Sequence, residues 1–225
     1  MAIHDVIYTF VSSLIALFPV INPIGCGFIV NGFLEGLDDE GRKVVIKKII
    51  MNCLLVGIGS LAVGHLILLL FGLAIPVIQL GGGLIICKTG LEWLTGTDAA
   101  KTTDTTKSSM QKLQVGDLEK KLFYPISFPI SIGPGSLSVI FTLMASAAVE
   151  GNLLVTATNY AILSLAIVSL LVILYIFLSQ GTRLMKKLGA SGNMIINKMV
   201  AFITFCIGIQ IIVTGFAKIF HLDIL

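Results

Sequence analysis

Two short motifs combine proline and glycine with amide or hydroxyl side chains inside apolar surroundings. The first is Asn22-Pro23-Ile24-Gly25, and the second runs from Ser131 through Gly133-Pro134-Gly135 to Ser136. Proline removes a backbone donor and disturbs the preceding helical turn, and glycine adds backbone freedom. Asn22, Ser131 and Ser136 can each donate and accept hydrogen bonds. Such motifs favour reversible binding of a small polar molecule.

The segments that hold these motifs are long enough to cross a membrane. No charged residue occurs in 6–34 or in 122–149, and a spanning helix needs only ~20 apolar residues. We therefore predict that each motif breaks a spanning helix near mid-membrane. Backbone groups freed by a break must be covered by protein or line a cavity. Paired breaks in two halves of a chain indicate a transporter's substrate site.

The composition supports this class. Hydrophobic residues make up 56% of the 225, charged residues only 12%, and the mean hydropathy is +1.01. Soluble domains contain roughly 25% charged residues. The chain is thus predicted to be a multi-pass protein of the cell membrane, surrounded by the lipid bilayer. Its four cysteines lie in apolar segments without CxxC spacing, which favours packed thiols over a metal or redox site: Cys26, Cys53, Cys87 and Cys206.

The apolar runs predict an all-α fold with six spans. Turn signals divide the chain into spans at 6–34, 49–71, 76–96, 122–149, 153–180 and 199–217. The connections after spans 1, 3 and 5 contain thirteen of the 15 Lys and Arg residues. Basic residues favour the cytoplasmic side. Both termini are therefore predicted to lie outside.

The two halves resemble each other weakly. Cys87 and Thr95-Gly96 recur as Cys206 and Thr214-Gly215, 119 residues later. We predict a first three-span repeat in 1–96, a cytoplasmic linker loop in 97–121 and a second repeat in 122–225. Because three is odd, the second repeat would be inverted in the membrane. The alternative is that the similarity arose by chance.

The broken helices would suit a zwitterion. Half-helix N-termini present free N–H groups to a carboxylate, and facing carbonyls can accept from an ammonium group. No Asp or Glu lies near the middle of any predicted span, so a bulky cation lacks a counter-charge. The glycines near the breaks leave room for a small ligand.

Three ionisable residues within the spans are candidates for ion coupling. His65 in span 2 fits proton coupling or a structural role. Lys88 and Glu92 are one turn apart in span 3 and fit either a pair anchored at the interface or a coupling site.

Together, Asn22-Pro-Ile-Gly, Gly81-Gly82-Gly83 and Phe128-Pro-Ile-Ser-Ile-Gly-Pro-Gly135 resemble the MarC family of integral membrane proteins over essentially the whole chain. The chain also resembles the SnatA branch of this family, which comprises small neutral amino acid transporters that move glycine, alanine, serine and threonine. The resemblance implies six spans, inverted repeats and substrate held at Asn22 to Gly25 and at Gly133 to Ser136. The glycine triplet fits either a close approach to broken span 1 or simple helix packing.

These observations favour a secondary transporter of small neutral amino acids, coupled to protons or sodium, that works by alternating access. The alternative is a channel or exporter for another small metabolite or drug. An intramembrane enzyme is a weaker hypothesis, because His65 is the only in-span histidine and no Gly-x-Ser-x-Gly motif occurs. No Walker A motif indicates ATP use. We expect no metal, cofactor or nucleic acid partner, and the sequence leaves the oligomeric state open.

Overall fold

A computed structural model describes residues 3–34, 37–95, 122–149 and 151–220, and all regular structure in these ranges is helical. The predicted linker loop 97–121 lies outside the described residues. The helices are α1 (Ile3–Ile21), α2 (Pro23–Phe33), α3 (Asp39–Phe71), α4 (Ile75–Thr95), α5 (Leu122–Ser131), α6 (Pro134–Ala147) and α7 (Leu153–Phe220).

The two predicted breaks are confirmed as helix interruptions. Asn22 separates α1 from α2, and Pro23 is the first residue of α2. Helices α5 and α6 meet near Gly133 with a bend of 59°. Proline is well tolerated at the first helical position, because the N–H group there has no intrahelical partner.

Helix α7 is two helices joined at Gly189, whose φ of 67° lies in the left-handed region that favours glycine. We call 153–188 the first arm and 190–220 the last arm. The basic connection predicted after span 5 is therefore mostly helical. Similarly, α3 begins at Asp39, so most of the charged connection predicted before span 2 forms its first turns. Charged residues limit how much of a helix can lie in the membrane, but they do not stop the helix from continuing into water.

Four helical segments in the described residues are long and apolar enough to cross a membrane, or five if bent α5–α6 is one span. The four lie in α1, α3, the first arm and the last arm. Helix α4 is not among them, although it is 21 residues long. It contains Gln79, Lys88, Glu92 and the glycine triplet, which lower its hydropathy.

Helix α4 packs antiparallel against the last arm through glycines. A Cβ on Gly90 would lie 2.7 Å from the backbone nitrogen of Phe205, and one on Gly83 would lie 2.8 Å from the carbonyl oxygen of Gly208. Gly215, further along the last arm, approaches Pro76 near the start of α4. Small residues at such positions let two backbones come into direct contact. Two glycines of the triplet thus serve helix packing rather than an approach to span 1: Gly82 faces Ser138 of α6 and Gly83 faces the last arm. A Cβ on Gly81 would have nothing within 4 Å.

The turns between helices match their predicted signals. Gly72 follows α3 with a φ of 61°, and Gly151 lies between α6 and α7 with a φ of 77°. The side chain of Asn152 accepts a hydrogen bond from the N–H of Val155 at 3.1 Å and so caps the first arm.

Candidate functional site

The first break is closed by its own asparagine. Asn22 has left-handed backbone angles (φ 44°, ψ 67°), which asparagine tolerates better than most residues. Its Oδ1 accepts a hydrogen bond from the N–H of Gly25 at 2.9 Å. Asn22 is 3% exposed. The N-terminus of α2 is therefore capped from within the motif.

The second break is built differently. Segment α5 is not a regular helix, because Tyr124 and Phe128 inside it have extended backbone angles (φ −121° and −131°). At its end, the N–H of Ile132 donates to the carbonyl of Ser127 at 3.0 Å. The hydroxyls of Ser127 and Ser131 donate to carbonyls five residues earlier, at 2.6 and 2.8 Å. At the start of α6, Gly133 provides no side-chain cap. The first N–H groups of α6 thus lack both an intrahelical acceptor and a capping side chain.

The two breaks are in contact. The thiol of Cys26 in α2 donates to the hydroxyl of Ser131 at the end of α5, at 3.2 Å. A Cβ on Gly135 would lie 2.9 Å from Ile86 of α4 and 3.5 Å from Val20 of α1. The start of α6 is therefore enclosed by helices from the first half of the chain.

A cleft of about 270 Å³ lies beside the second break. Its lining combines the start of α6 and the end of α5 with one side of α4 and single residues of α1, α2 and the last arm. The full lining is Val20, Ile29, Ile85, Ile86, Thr89, Glu92, Trp93, Pro129, Ile130, Gly133, Pro134, Gly135, Ser136 and Thr204. Along α4 it extends from Ile85 to Trp93, about 12 Å by helical rise. Pockets for drug-sized ligands occupy roughly 300–1,000 Å³, so this cleft suits a smaller molecule.

Some of the predicted binding residues line the cleft, and the others lie in the backbone next to it. Gly133, Pro134, Gly135 and Ser136 line the cleft, whereas Asn22, Pro23, Ile24 and Gly25 do not. Ser131 is also absent from the lining; it is 1% exposed, and its hydroxyl is shared between Ile126 and Cys26. The first motif shapes the backbone next to the cleft, and the second forms part of its wall.

Among the candidate coupling residues whose side chains the structure describes, only Glu92 is part of the cleft lining. Glu92 lines the cleft, and its carboxylate lies 3.9 Å from the ammonium group of Lys88. The side chain of Lys88 is 75% exposed, against 30% for Glu92. His65 belongs to α3, but its side chain lies outside what the structure describes. In the described ranges, no three His, Cys, Asp or Glu residues are grouped so as to hold a metal ion.

Sequence reasoning missed the contribution of α4 and of Thr204 to the cleft. Ile85, Ile86, Thr89 and Trp93 line it from α4, and Thr204 lines it from the last arm. The glycine triplet was the available signal, because Gly82 allows α4 to lie against α6: a Cβ there would be 1.5 Å from the Oγ of Ser138. No local pattern marks Thr204. The four thiols were predicted to be packed in the core. Cys26 and Cys53 are buried, Cys87 is half-buried, and Cys206 is exposed.

Comparison with known proteins identifies relatives that are described as membrane proteins. The profile of the MarC family of integral membrane proteins matches residues 7–220. The UPF0056 membrane protein of Pyrococcus abyssi is 27% identical over 94% of this chain and 96% of its own. The UPF0056 inner membrane protein MarC of Citrobacter koseri is 25% identical over 92% and 93% of the two chains. No solved structure is significantly similar. The protein, a multi-pass integral membrane protein, belongs to the MarC family.

Proposed function

We propose that the protein is a secondary transporter of small neutral amino acids in the cell membrane, working by alternating access and driven by a proton or sodium gradient. Glycine, alanine, serine and threonine are the proposed substrates. The observation that carries the proposal is the uncapped N-terminus of α6, which opens into a cleft of about 270 Å³.

The cleft offers groups for a carboxylate. The N–H groups of Gly135 and Ser136 lie in the first turn of α6, where the helix dipole favours negative charge. Ser136 adds a hydroxyl. On the α4 side, Ile85 and Ile86 leave space for a short side chain, and Thr89 and the carboxylate of Glu92 add polar groups that can accept from an ammonium group. This combination favours a small neutral amino acid over a bulky or strongly charged molecule.

The six-span, inverted-repeat topology is part of the proposal. It requires that α4 also crosses the membrane, in addition to the five candidate spans. The moderate hydropathy of α4 would be compensated by its packing on α6 and the last arm. The antiparallel contact of α4 with the last arm is the one expected between the third helices of inverted halves. The distribution of Lys and Arg then orients the end of α4 toward the cytoplasm, so the cleft would open inward along Glu92 and Trp93.

Transport into proteoliposomes tests the proposal. Labelled glycine and alanine should accumulate with saturable kinetics under an imposed proton or sodium gradient. Ser136→Ala should raise KM several-fold, because a hydroxyl is lost from the cleft wall. Ser146→Ala is the matched control: it also lies on α6, but it is exposed and donates to Thr142 of its own helix. No accumulation under either gradient, with folded protein, would contradict the proposal, and passive flux without saturation would favour a channel.

A further inference from the structure

A carbonyl freed by the first break is bonded from the other half of the chain. In a continuous helix, the carbonyl of Pro19 would accept from the N–H of residue 23, but Pro23 has none. The hydroxyl of Thr204, in the last arm, donates to this carbonyl at 3.0 Å. Thr204 is 1% exposed and Pro19 is buried.

The same hydroxyl has a second acceptor. The Oγ1 of Thr204 lies 2.8 Å from the carbonyl of Val200, one turn earlier in its own helix. A hydroxyl carries one hydrogen and can donate fully to only one of the two. Thr204 can therefore release Pro19 without being left unpaired, whereas Pro19 then needs another partner. This makes the contact easier to break than an ordinary buried hydrogen bond.

This contact lies between two openings in the bundle. On one side, Val20 and Thr204 line the cleft described above. On the other, Ala16 and Ile207 belong to a mostly apolar groove of about 500 Å³ between α1, α6 and the last arm. Ala16 and Val20, like Thr204 and Ile207, are about one helical turn apart, or ~5 Å. Residues that line the cleft and residues that line the groove are thus separated by roughly one turn along each helix.

We propose that Thr204 is a positioning residue that gates the first break. Its bond to Pro19 holds α1 against the last arm and keeps the cleft separate from the groove. Transfer of that bond to Val200 releases the break and lets the two openings join. The inference rests on the proposed transport function, because the gate is assigned to the movement of substrate between the two sides.

Hydrogen exchange on the full-length protein in nanodiscs tests the gate without a transport assay. In Thr204→Val, the amides of residues 20–26 should exchange about tenfold faster, because the Pro19 carbonyl loses its donor. Thr204→Ser, which keeps the hydroxyl, should exchange like the wild type. The matched control is Thr214→Val on the same arm, since the Thr214 hydroxyl is exposed and bonds only to Gln210 of its own helix among the described contacts.

Unchanged exchange at 20–26 in Thr204→Val, or equal acceleration in Thr214→Val, would overturn the gate. If Thr204→Val does not fold, Thr204→Cys serves instead with the same expectation, because a thiol is a weak donor. Glycine uptake by the wild type is measured in parallel. If the wild type takes up no glycine but exchange is accelerated in Thr204→Val, the transport proposal is refuted. The Thr204–Pro19 hydrogen bond would then still be the contact that stabilises the first break.

Discussion

The thiol of Cys26 donates to the hydroxyl of Ser131 at 3.2 Å, across 105 residues of sequence. Cys26 follows the first proline–glycine motif, and Ser131 begins the second. The contact therefore joins the two interrupted helices at the point where each departs from regular geometry. Ser131 also donates to the carbonyl of Ile126 at 2.8 Å, so its hydroxyl supports both the irregular end of α5 and the contact between the breaks.

Replacing Ser131 should destabilise the protein more than replacing Cys26. Ser131→Ala removes a buried hydroxyl that donates to the carbonyl of Ile126 and accepts from the thiol of Cys26, at a cost of about 1–3 kcal/mol. Cys26→Ala removes only a weak donor, and Ser131 keeps its bond to Ile126. Thermal unfolding in detergent measures both, with exposed Ser146→Ala as the control. Equal melting temperatures for Ser131→Ala and Ser146→Ala would contradict this role.

Gly25 should be required by the Asn22 cap. A Cβ at Gly25 would lie 2.2 Å from Nδ2 and 2.9 Å from Cγ of Asn22, so Gly25→Ala must displace the capping side chain. Loss of such a cap costs about 1 kcal/mol, and the amides of residues 24–26 should exchange faster. Gly27→Ala is the control in the same helix, because its nearest neighbour, Phe177, would be at 3.7 Å. Faster exchange in Gly27→Ala alone would refute the assignment.

Gly90 should be essential for the contact between α4 and the last arm. Its added Cβ would meet the backbone of Phe205 at 2.7 Å, and backbone cannot move aside as a side chain can. We expect Gly90→Ala to lower stability by about 1–3 kcal/mol. Gly81→Ala, where nothing lies within 4 Å, should be neutral or stabilising because alanine is the better helix former. Unfolding midpoints compare the two variants. A stable Gly90→Ala protein would show that the helices can separate freely.

The orientation drawn from the basic residues is testable with reporter fusions. Alkaline phosphatase fused after Leu225 should be active, because both termini are predicted to lie outside, and a fluorescent protein there should stay dark. Fusions within 97–121 should behave in the opposite way, because the positively charged connections favour the cytoplasm. Fluorescence at the C-terminus would reverse the orientation and with it the side to which the cleft opens.

Much of the fold follows from local chemistry. Apolar runs of spanning length, with Gly72 and Gly151 at the turns, determine where helices lie. Pro23 and Pro134 determine where two of them must stop, because a missing N–H acts within a single turn. Helix ends were less predictable: α3 starts at Asp39 and α7 continues helically through its basic stretch apart from Gly189. The positions of charged residues indicate which part of a helix lies in the membrane, but they do not indicate where the helix begins or ends.

The sequence by itself thus determined a helical membrane protein with two interrupted helices and a likeness to one family. Only the tertiary structure decided which motif lines the cleft and which caps itself, and it brought α4 and Thr204 into the site. The reason is that a side chain's partner depends on distances between helices far apart in sequence. The bond from Thr204 to Pro19 spans 185 residues, and no residue spacing within either helix predicts it.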